Sequence, residues 1–197
     1  RTGLNQLKEA GLGSLPGGGA EIFDPEVRRK IAGGKAPADR WLEVHGSAHD
    51  LGMCSNATML YGHIETFEHR VDHMNKLRDL QDKTSGFNAF IPLRYRNENN
   101  KMSGRDEVTK EEDMRNFAIA RLFLDNIAHL KAYWVMLGVE NAFASLQYGV
   151  DDLDGTVDDS TKIYSMAGSM ENPTLSSDFL RDEIIKNKRI PVERNSI

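Results

Sequence analysis

Residues 11–23 read Gly-Leu-Gly-Ser-Leu-Pro-Gly-Gly-Gly-Ala-Glu-Ile-Phe, and the rest of the chain is organised around this stretch. A short apolar run ends at Leu15 and three glycines follow at residues 17–19. Asp24 and Pro25 then have the pattern of a helix start. Because glycine lets the backbone approach a ligand closely, the stretch predicts a strand, a ligand-binding glycine loop and a helix. A tight turn without a ligand explains the glycines equally well.

The composition indicates one folded domain of ordinary size. The chain has 197 residues, of which 28% are charged and 39% hydrophobic, as in globular rather than disordered proteins. The net charge of −5 argues against broad electrostatic capture of nucleic acid, and no apolar run is long enough to span a bilayer. The single cysteine, Cys54, excludes an internal disulfide and a self-contained cysteine-ligated metal site. It favours a reducing compartment, which we expect to be the cytoplasm.

Apolar runs and turn signals predict five strands that alternate with helices. After the run that ends at Leu15, strands are predicted at residues 53–61, 87–93, 130–137 and 150–156. Helices are predicted at residues 2–10, 24–31, 37–51, 66–83, 109–126 and 139–148, with two more in the tail at 161–166 and 177–188. This alternation favours parallel pairing with right-handed crossovers.

The predicted fold class is α/β, a partial TIM-type (β/α) barrel of about strands four to eight with outer helices and a helical C-terminal tail. Five strand–helix units are too few for a closed eight-stranded barrel, which takes about 250 residues. The chain also opens on Arg1, in what reads as the last turns of a helix. We therefore expect residues 1–156 to be the C-terminal part of a barrel and residues 157–197 to be a helical extension packed on it. A complete five-stranded open sheet is the alternative.

Polar residues gather where the predicted strands end. The carboxyl ends of parallel strands share one face, which is where barrel enzymes bind their ligands. The polar residues at these ends are Glu21, His63, Glu65, Arg94, Asp152 and Asp154. Within the strands, Asn56, Thr58 and Asn88 are polar where a core strand prefers apolar side chains. We expect them to line a polar cavity, with hydrogen bonds to the backbone as an equally weighted alternative.

Two histidine pairs at helical spacing, His45/His49 and His69/His73, raise the question of a metal site. Zinc needs three or four ligands, and the sequence offers no obvious third, so we interpret the pairs as parts of a solvated helix face. A cluster of aspartates at residues 151–159 could bind Mg²⁺, but no phosphate-binding motif accompanies it. We therefore expect no metal ligands in this chain. Residue chemistry alone leads to a partial barrel with a polar mouth and not to a reaction.

Several longer motifs carry a family resemblance. Residues 15–23 and 56–65 (Asn-Ala-Thr-Met-Leu-Tyr-Gly-His-Ile-Glu) resemble the aminofutalosine synthases of menaquinone biosynthesis, which are radical S-adenosylmethionine enzymes. Further matches cover nearly the whole chain, at residues 86–93, 122–127, 131–138, 151–156 and 189–194. The resemblance implies a barrel with a [4Fe–4S] cluster and S-adenosylmethionine as co-substrate. The implied reaction adds a 5′-deoxyadenosyl radical to 3-[(1-carboxyvinyl)oxy]benzoate with loss of CO₂, and a flavodoxin or ferredoxin would supply the electron.

The resemblance also implies which residues bind these molecules. The expected S-adenosylmethionine contacts are Gly17, Gly18, Gly19, Glu21, His63 and Glu65. The expected substrate contacts are Asn56, Thr58, Tyr61, Asn88, Arg94, Asp152 and Asp154.

The chain departs from the family in two places. The cluster motif Cys-x3-Cys-x2-Cys does not occur, so we expect the chain alone to be inactive and the cluster to be held by a missing N-terminal half. Its partner in the barrel would be that half or a second copy of the chain. Residues 94–97, Arg-Tyr-Arg-Asn, stand where many relatives carry an aromatic-His-Pro pattern. The alternatives are the sister enzyme that cyclises dehypoxanthine futalosine and a non-catalytic half-barrel that only binds or assembles.

Overall fold

A computed structural model describes residues 2–97, 102, 106–155 and 174–194. Five strands form one sheet in the order of the sequence, and every neighbouring pair is parallel. The strands are β1 (Ser14–Leu15), β2 (Cys54–Tyr61), β3 (Phe87–Arg94), β4 (His129–Ala132) and β5 (Asp152–Leu153). This sheet, with helices on its outer side, confirms the predicted α/β fold of a partial TIM-type barrel.

Helices connect the strands and cover one face of the sheet. They are α1 (Thr2–Glu9), α2 (Pro25–Ala32), α3 (Ala38–Asp50), α4 (Phe67–Thr84), α5 (Lys110–Phe123), α6 (Trp134–Leu137), α7 (Val139–Ser145) and α8 (Ser177–Lys186), with a 3₁₀ turn at Leu146–Tyr148. Within the described residues, no helix combines the length and the apolar character that crossing a membrane requires.

The predicted helix starts are confirmed by their caps. The Asp24 carboxylate accepts the N–H of Val27 at 2.8 Å, and Pro25 occupies the first turn of α2, where its missing N–H has no cost. At α4 the capping box uses a histidine. Thr66 accepts the N–H of His69, and His69 Nδ1 accepts the N–H of Thr66 at 3.0 Å.

The fourth and fifth strands are shorter than predicted. The apolar run at residues 130–137 leaves the sheet after Ala132 and continues as α6. Trp134 is buried there, and its Nε1–H donates to the carbonyls of Asp154 and Gly155, which a continued strand would not reach. A short apolar run does not distinguish a strand from a buried helical turn. The predicted tail helix 161–166 and the predicted domain boundary at residues 156/157 lie outside the described residues.

The core lies between the sheet and its helices. Alternation along β2 turns Ala57, Met59 and Tyr61 toward the helices, where each is fully buried. The opposite face carries Asn56 and Leu60, which stay partly exposed. In a closed barrel this second face would be the interior, so the half-barrel presents its interior face to its surroundings.

The prediction that the histidine pairs lie on a solvated helix face was wrong for three of the four residues, and only His69 stays partly exposed. His45, His49 and His73 are buried, because α3 and α4 turn them toward the sheet. His45 Nδ1 and His49 Nε2 both lie within 2.8 Å of Ser55 Oγ, and His73 Nε2 donates to the Thr58 carbonyl at 2.9 Å. Within the described part of the chain, no group of three or more His, Cys, Asp or Glu is placed to hold a metal ion.

Candidate functional site

Side chains of β2 and α3 hold the glycine loop after β1 through hydrogen bonds to its carbonyl groups. The Thr58 hydroxyl donates to the Gly17 carbonyl at 2.5 Å, and Trp41 Nε1 donates to the Gly18 carbonyl at 3.1 Å. A Cβ at Gly17 would lie 2.6 Å from Thr58 Cγ2 and 2.8 Å from the carbonyl oxygen of Asn56, so only glycine fits against β2. For Thr58, the structure thus supports the alternative that its polar group serves the backbone.

Arg28 of α2 completes this support. Its side chain is buried and donates to the carbonyls of Gly19 at 2.7 Å and Ala20 at 2.5 Å, and its Nε donates to Ala36 at 2.9 Å. By contrast, the N–H groups of Gly18 and Gly19 donate no hydrogen bond within the described residues. The loop therefore keeps backbone donors available for an anionic or polar ligand.

Glu21 lies at the end of this loop. Its backbone has a positive φ of 49°, and its carbonyl accepts the N–H of Leu60 at 2.8 Å, which ties the loop to β2. Its carboxylate is paired with Lys35 at 2.5 Å. The structure thus uses both polar groups of Glu21 to fix the loop.

The turn after β2 is built around a buried carboxylate. Glu65 accepts the N–H groups of Gly62 at 2.5 Å and His63 at 2.8 Å, and it accepts Arg70 Nε at 2.8 Å. Burial by itself raises the pKa of Glu65, but the hydrogen bond and charge of His63, the Gly62 N–H and Arg70 outweigh it and lower the pKa to about 2. Glu65 is therefore an anion that shapes this turn.

His63 is enclosed in the same turn. Its side chain is fully buried, with Nε2 3.0 Å from the Leu60 carbonyl and Nδ1 3.0 Å from Glu65 Oε2. Gly62 has a φ of +88°, and a Cβ there would lie 2.9 Å from Val108 Cγ1. The side chains of His63 and Glu65 thus face inward, and the backbone of the turn is what borders the mouth of the barrel.

Tyr61 and Arg94 meet on the helix side of the sheet. They are opposite each other in the register of β2 and β3, and both contact Asp113 of α5. The Tyr61 hydroxyl donates to Asp113 Oδ1 at 2.7 Å, Arg94 Nη1 lies 3.0 Å from Oδ2, and Asn141 Nδ2 lies 3.3 Å from Oδ2. Burial raises the pKa of Asp113 to about 6, although the hydrogen bond from Tyr61 and the charge of Arg94 oppose the shift.

This arrangement changes how two predicted substrate contacts would act. Tyr61 is fully buried, so any role for it would be exerted through Asp113 and Arg94. Arg94 also reaches Glu107 at 3.1 Å and the Val108 carbonyl at 2.7 Å. The predicted substrate role of both residues stays a prediction.

A second charged cluster lies at the ends of β4 and β5. Lys131 Nζ lies 3.3 Å from Asp154 Oδ1 and 3.7 Å from Asp152 Oδ2, and Asp152 also pairs with Arg194 from the tail. Burial raises the pKa of Asp154, and the charge and hydrogen bond of Lys131 partly offset it. Asp154 Oδ2 is buried without a hydrogen-bond partner in the described part of the chain.

The predicted site residues therefore fall into separate groups. The glycine loop and the turn after β2 lie side by side, joined by the bond between Leu60 and Glu21, while β3 and β4 separate Asp152 and Asp154 from them. Asn56 and Asn88 are partly exposed, and their role as substrate contacts stays a prediction.

Sequence reasoning missed other residues of these clusters, among them Arg28, Arg70, Glu107, Asp113 and Lys131. Of these, only Lys131 left a readable signal, as a charge inside an apolar strand.

Comparison with known proteins places these motifs in a family. Residues 84–196 match the family model described as the CofH/MqnC C-terminal region. The chain is 52% identical to the aminodeoxyfutalosine synthase of Thermus thermophilus over 98% of its length, and 44% identical to that of Streptomyces coelicolor over 98%. It is 41% identical over 97% of its length to the cyclic dehypoxanthine futalosine synthase of S. coelicolor. These matches confirm the resemblance found in the sequence.

The chain spans about half the length of the curated relatives it matches. It covers 53% of the T. thermophilus protein, 52% of the first S. coelicolor protein and 47% of the second.

Proposed function

The chain belongs to the CofH/MqnC C-terminal family, and from this premise we propose that it forms the C-terminal half-barrel of an aminofutalosine synthase of the radical S-adenosylmethionine type. The proposed reaction adds the 5′-deoxyadenosyl group of S-adenosylmethionine to 3-[(1-carboxyvinyl)oxy]benzoate, with loss of CO₂, in the futalosine route to menaquinone. The observation that carries the proposal is the 52% identity to an aminodeoxyfutalosine synthase across 98% of the chain.

The two loops at the mouth fit S-adenosylmethionine. Among the described residues, the N–H groups of Gly18 and Gly19 donate no hydrogen bond and nothing lies close to Gly18, which suits a polar ligand that lies near the backbone. The turn at Gly62 and His63 borders the same mouth and is held rigid by Glu65. We therefore assign binding to the loop backbones, with Glu21, His63 and Glu65 positioning them. When bound, the co-substrate supplies the adenosyl group, and the chain orients the reactants and excludes water.

This chain does not fit an iron–sulfur cluster. Such clusters need several cysteine thiolates, and Cys54 is the single cysteine. It lies at the first residue of β2, whereas the mouth lies at the other end of that strand, roughly 23 Å away. We therefore propose that the cluster, and the partner that delivers its electron, are bound by the other half of the barrel.

The proposal is tested with a complete enzyme in which this sequence replaces the matching segment of the T. thermophilus relative. After anaerobic reconstitution, we expect S-adenosylmethionine and the benzoate substrate to yield aminofutalosine, detected by mass spectrometry. The matched control carries Cys54→Ser and keeps full activity. A folded, reconstituted enzyme that makes no aminofutalosine contradicts the proposal. Turnover of dehypoxanthine futalosine instead would assign the chain to the sister activity.

A further inference from the structure

One carboxylate bridges two arginines beside the end of β3. Glu107 Oε2 lies 3.1 Å from Arg94 Nη2 and 3.2 Å from Arg96 Nη1. Its other oxygen, Oε1, lies 3.5 Å from the backbone N of Asn97. Both oxygens of Glu107 thus face donors from residues 94–97, which is the environment that two arginines give a bound carboxylate ligand.

Arg94 is fixed in place before any ligand arrives. Its side chain is 11% exposed, and Asp113 Oδ2 at 3.0 Å and the Val108 carbonyl at 2.7 Å hold its guanidinium. Arg94 Nε is buried and has no hydrogen-bond partner among the described residues. A fixed guanidinium with an unused donor is ready for a further acceptor, since burying a donor without a partner costs free energy.

Glu107 pairs with both arginines at once. A ligand carboxylate that takes the place of Glu107 would therefore meet two guanidinium groups. The planar guanidinium also presents parallel N–H donors that match the two oxygens of a carboxylate.

The cluster borders the proposed site. Arg94 is the last residue of β3, the N–H of Tyr95 donates to the Tyr61 carbonyl at 2.8 Å, and Val108 packs against Gly62. The arginine pair thus adjoins the turn that follows β2.

We propose that Arg94 and Arg96 form a carboxylate-binding subsite, which Glu107 fills until the carboxylate of the substrate displaces it. The inference rests on the proposed function for its place in the substrate region. It adds the chemical group that is recognised, a carboxylate on an organic acid, and the residue that competes with it.

Benzoate is the probe, titrated into the chain and followed by calorimetry. We expect Glu107→Gln to bind benzoate about 10-fold more tightly than the parent. In the parent, the Glu107 carboxylate occupies the two arginines and lowers the fraction of molecules that can bind benzoate. Adding Arg96→Gln to that variant should abolish the gain. The matched control is Glu140→Gln, which breaks the exposed Lys110–Glu140 pair and should leave the affinity unchanged.

Equal benzoate affinity in the parent and in Glu107→Gln overturns the inference, and so does a lack of binding by both. If Glu107→Gln does not fold, as judged by circular dichroism, Arg96→Gln in the parent decides: retained benzoate binding overturns the inference and lost binding supports it. Benzoate binding needs neither S-adenosylmethionine nor a cluster. A failed benzoate titration is therefore distinguishable from a failed product assay.

Discussion

At the residue scale, Glu65 connects the turn after β2 to the helices behind it. Its carboxylate takes two backbone N–H groups from the turn after β2 and one donor from Arg70, whose guanidinium continues to Glu112 of α5 at 2.8 Å. The Arg70 guanidinium also lies 5.2 Å from the centre of the Tyr61 ring. A single buried anion thus fixes the turn, one strand and two helices relative to each other.

Glu65→Ala should therefore destabilise the fold and weaken ligand binding together. Removing one partner of a buried ion pair costs about 3 kcal/mol, because the remaining charge stays buried without its partner. We expect a loss of that size in denaturant unfolding, and an S-adenosylmethionine affinity at least about 10-fold lower in the complete enzyme by calorimetry. The matched control is Glu68→Ala on the exposed side of α4. Unchanged affinity in Glu65→Ala would remove this turn from the site.

The raised pKa of Asp113 leads to a prediction about how the free energy of unfolding depends on pH. Its pKa is about 6 in the folded chain against 3.8 for an ordinary aspartate, so the folded state binds the proton more tightly. The stability it contributes is present below pH 4 and is lost as the pH rises to 6, by about 3 kcal/mol at most. Burial lowers the pKa of His45 to about 4 and that of His73 to about 3, so both give the opposite slope.

The measurement is therefore a difference between variants. We expect Asp113→Asn to remove the part of the stability that the parent loses as the pH rises. The free energy of unfolding of the variant minus that of the parent should therefore increase between pH 4 and 6. Asp125→Asn, which changes an exposed aspartate that pairs with Arg78, should show no such difference. A constant offset between Asp113→Asn and the parent across this range would mean that Asp113 is ionised throughout.

At the element scale, the glycine loop owes its position to its fit against β2. Three neighbouring glycines look alike in the sequence, but their surroundings differ. Gly17 is pressed against the backbone of β2, Gly19 has a positive φ of 84°, and Gly18 has nothing within 4 Å of where a Cβ would be. The requirement for glycine is therefore a property of each position in the loop.

Gly17→Ala should shift the loop, whereas Gly18→Ala should not. The added methyl at Gly17 would overlap the Asn56 carbonyl and Thr58, which costs about 1–3 kcal/mol, and the loop would lose the bond from the Thr58 hydroxyl. Gly18→Ala is the matched control and should stay within about 0.5 kcal/mol. Thermal unfolding of both variants measures the difference. Equal melting temperatures would show that the loop does not lie against β2.

The elements that sequence reasoning predicted well are those with local signals. Asp24, Thr66 and Thr109 each predicted a helix start, because a cap depends on residues three positions away. The buried side of α3 and α4 was harder to predict. His45 and His73 are polar in the sequence, and only the packed structure supplies Ser55 and the Thr58 carbonyl as their partners. Long-range hydrogen bonds of this kind leave no trace in the spacing of residues.

At the scale of the whole molecule, the parallel sheet was predictable and the partners of its polar residues were not. The alternation of strands and helices determines which strand ends meet, and the loop that holds Glu21 is bonded to the end of β2 through Leu60. The direction of each side chain depends on register. Tyr61 and Arg94 are the last residues of their strands and point to the helix side, where both contact Asp113. Asp113 lies 52 residues after Tyr61 in the chain.

The open sheet leads to a prediction about assembly. In the part of the chain that the structure describes, the edge strand β1 pairs with a single neighbour, and the interior face of the sheet carries partly exposed apolar side chains, including Leu60 and Leu93. An open edge and an apolar face both favour association with another chain. We therefore expect the 197-residue chain to self-associate with rising concentration, as measured by light scattering.

Leu60→Asp should reduce this association, and Leu122→Asp on the outer surface, where the leucine is 81% exposed, is the matched control. A chain that stays monomeric at all concentrations, or Leu60→Asp and Leu122→Asp variants that behave alike, would show that the interior face does not drive assembly.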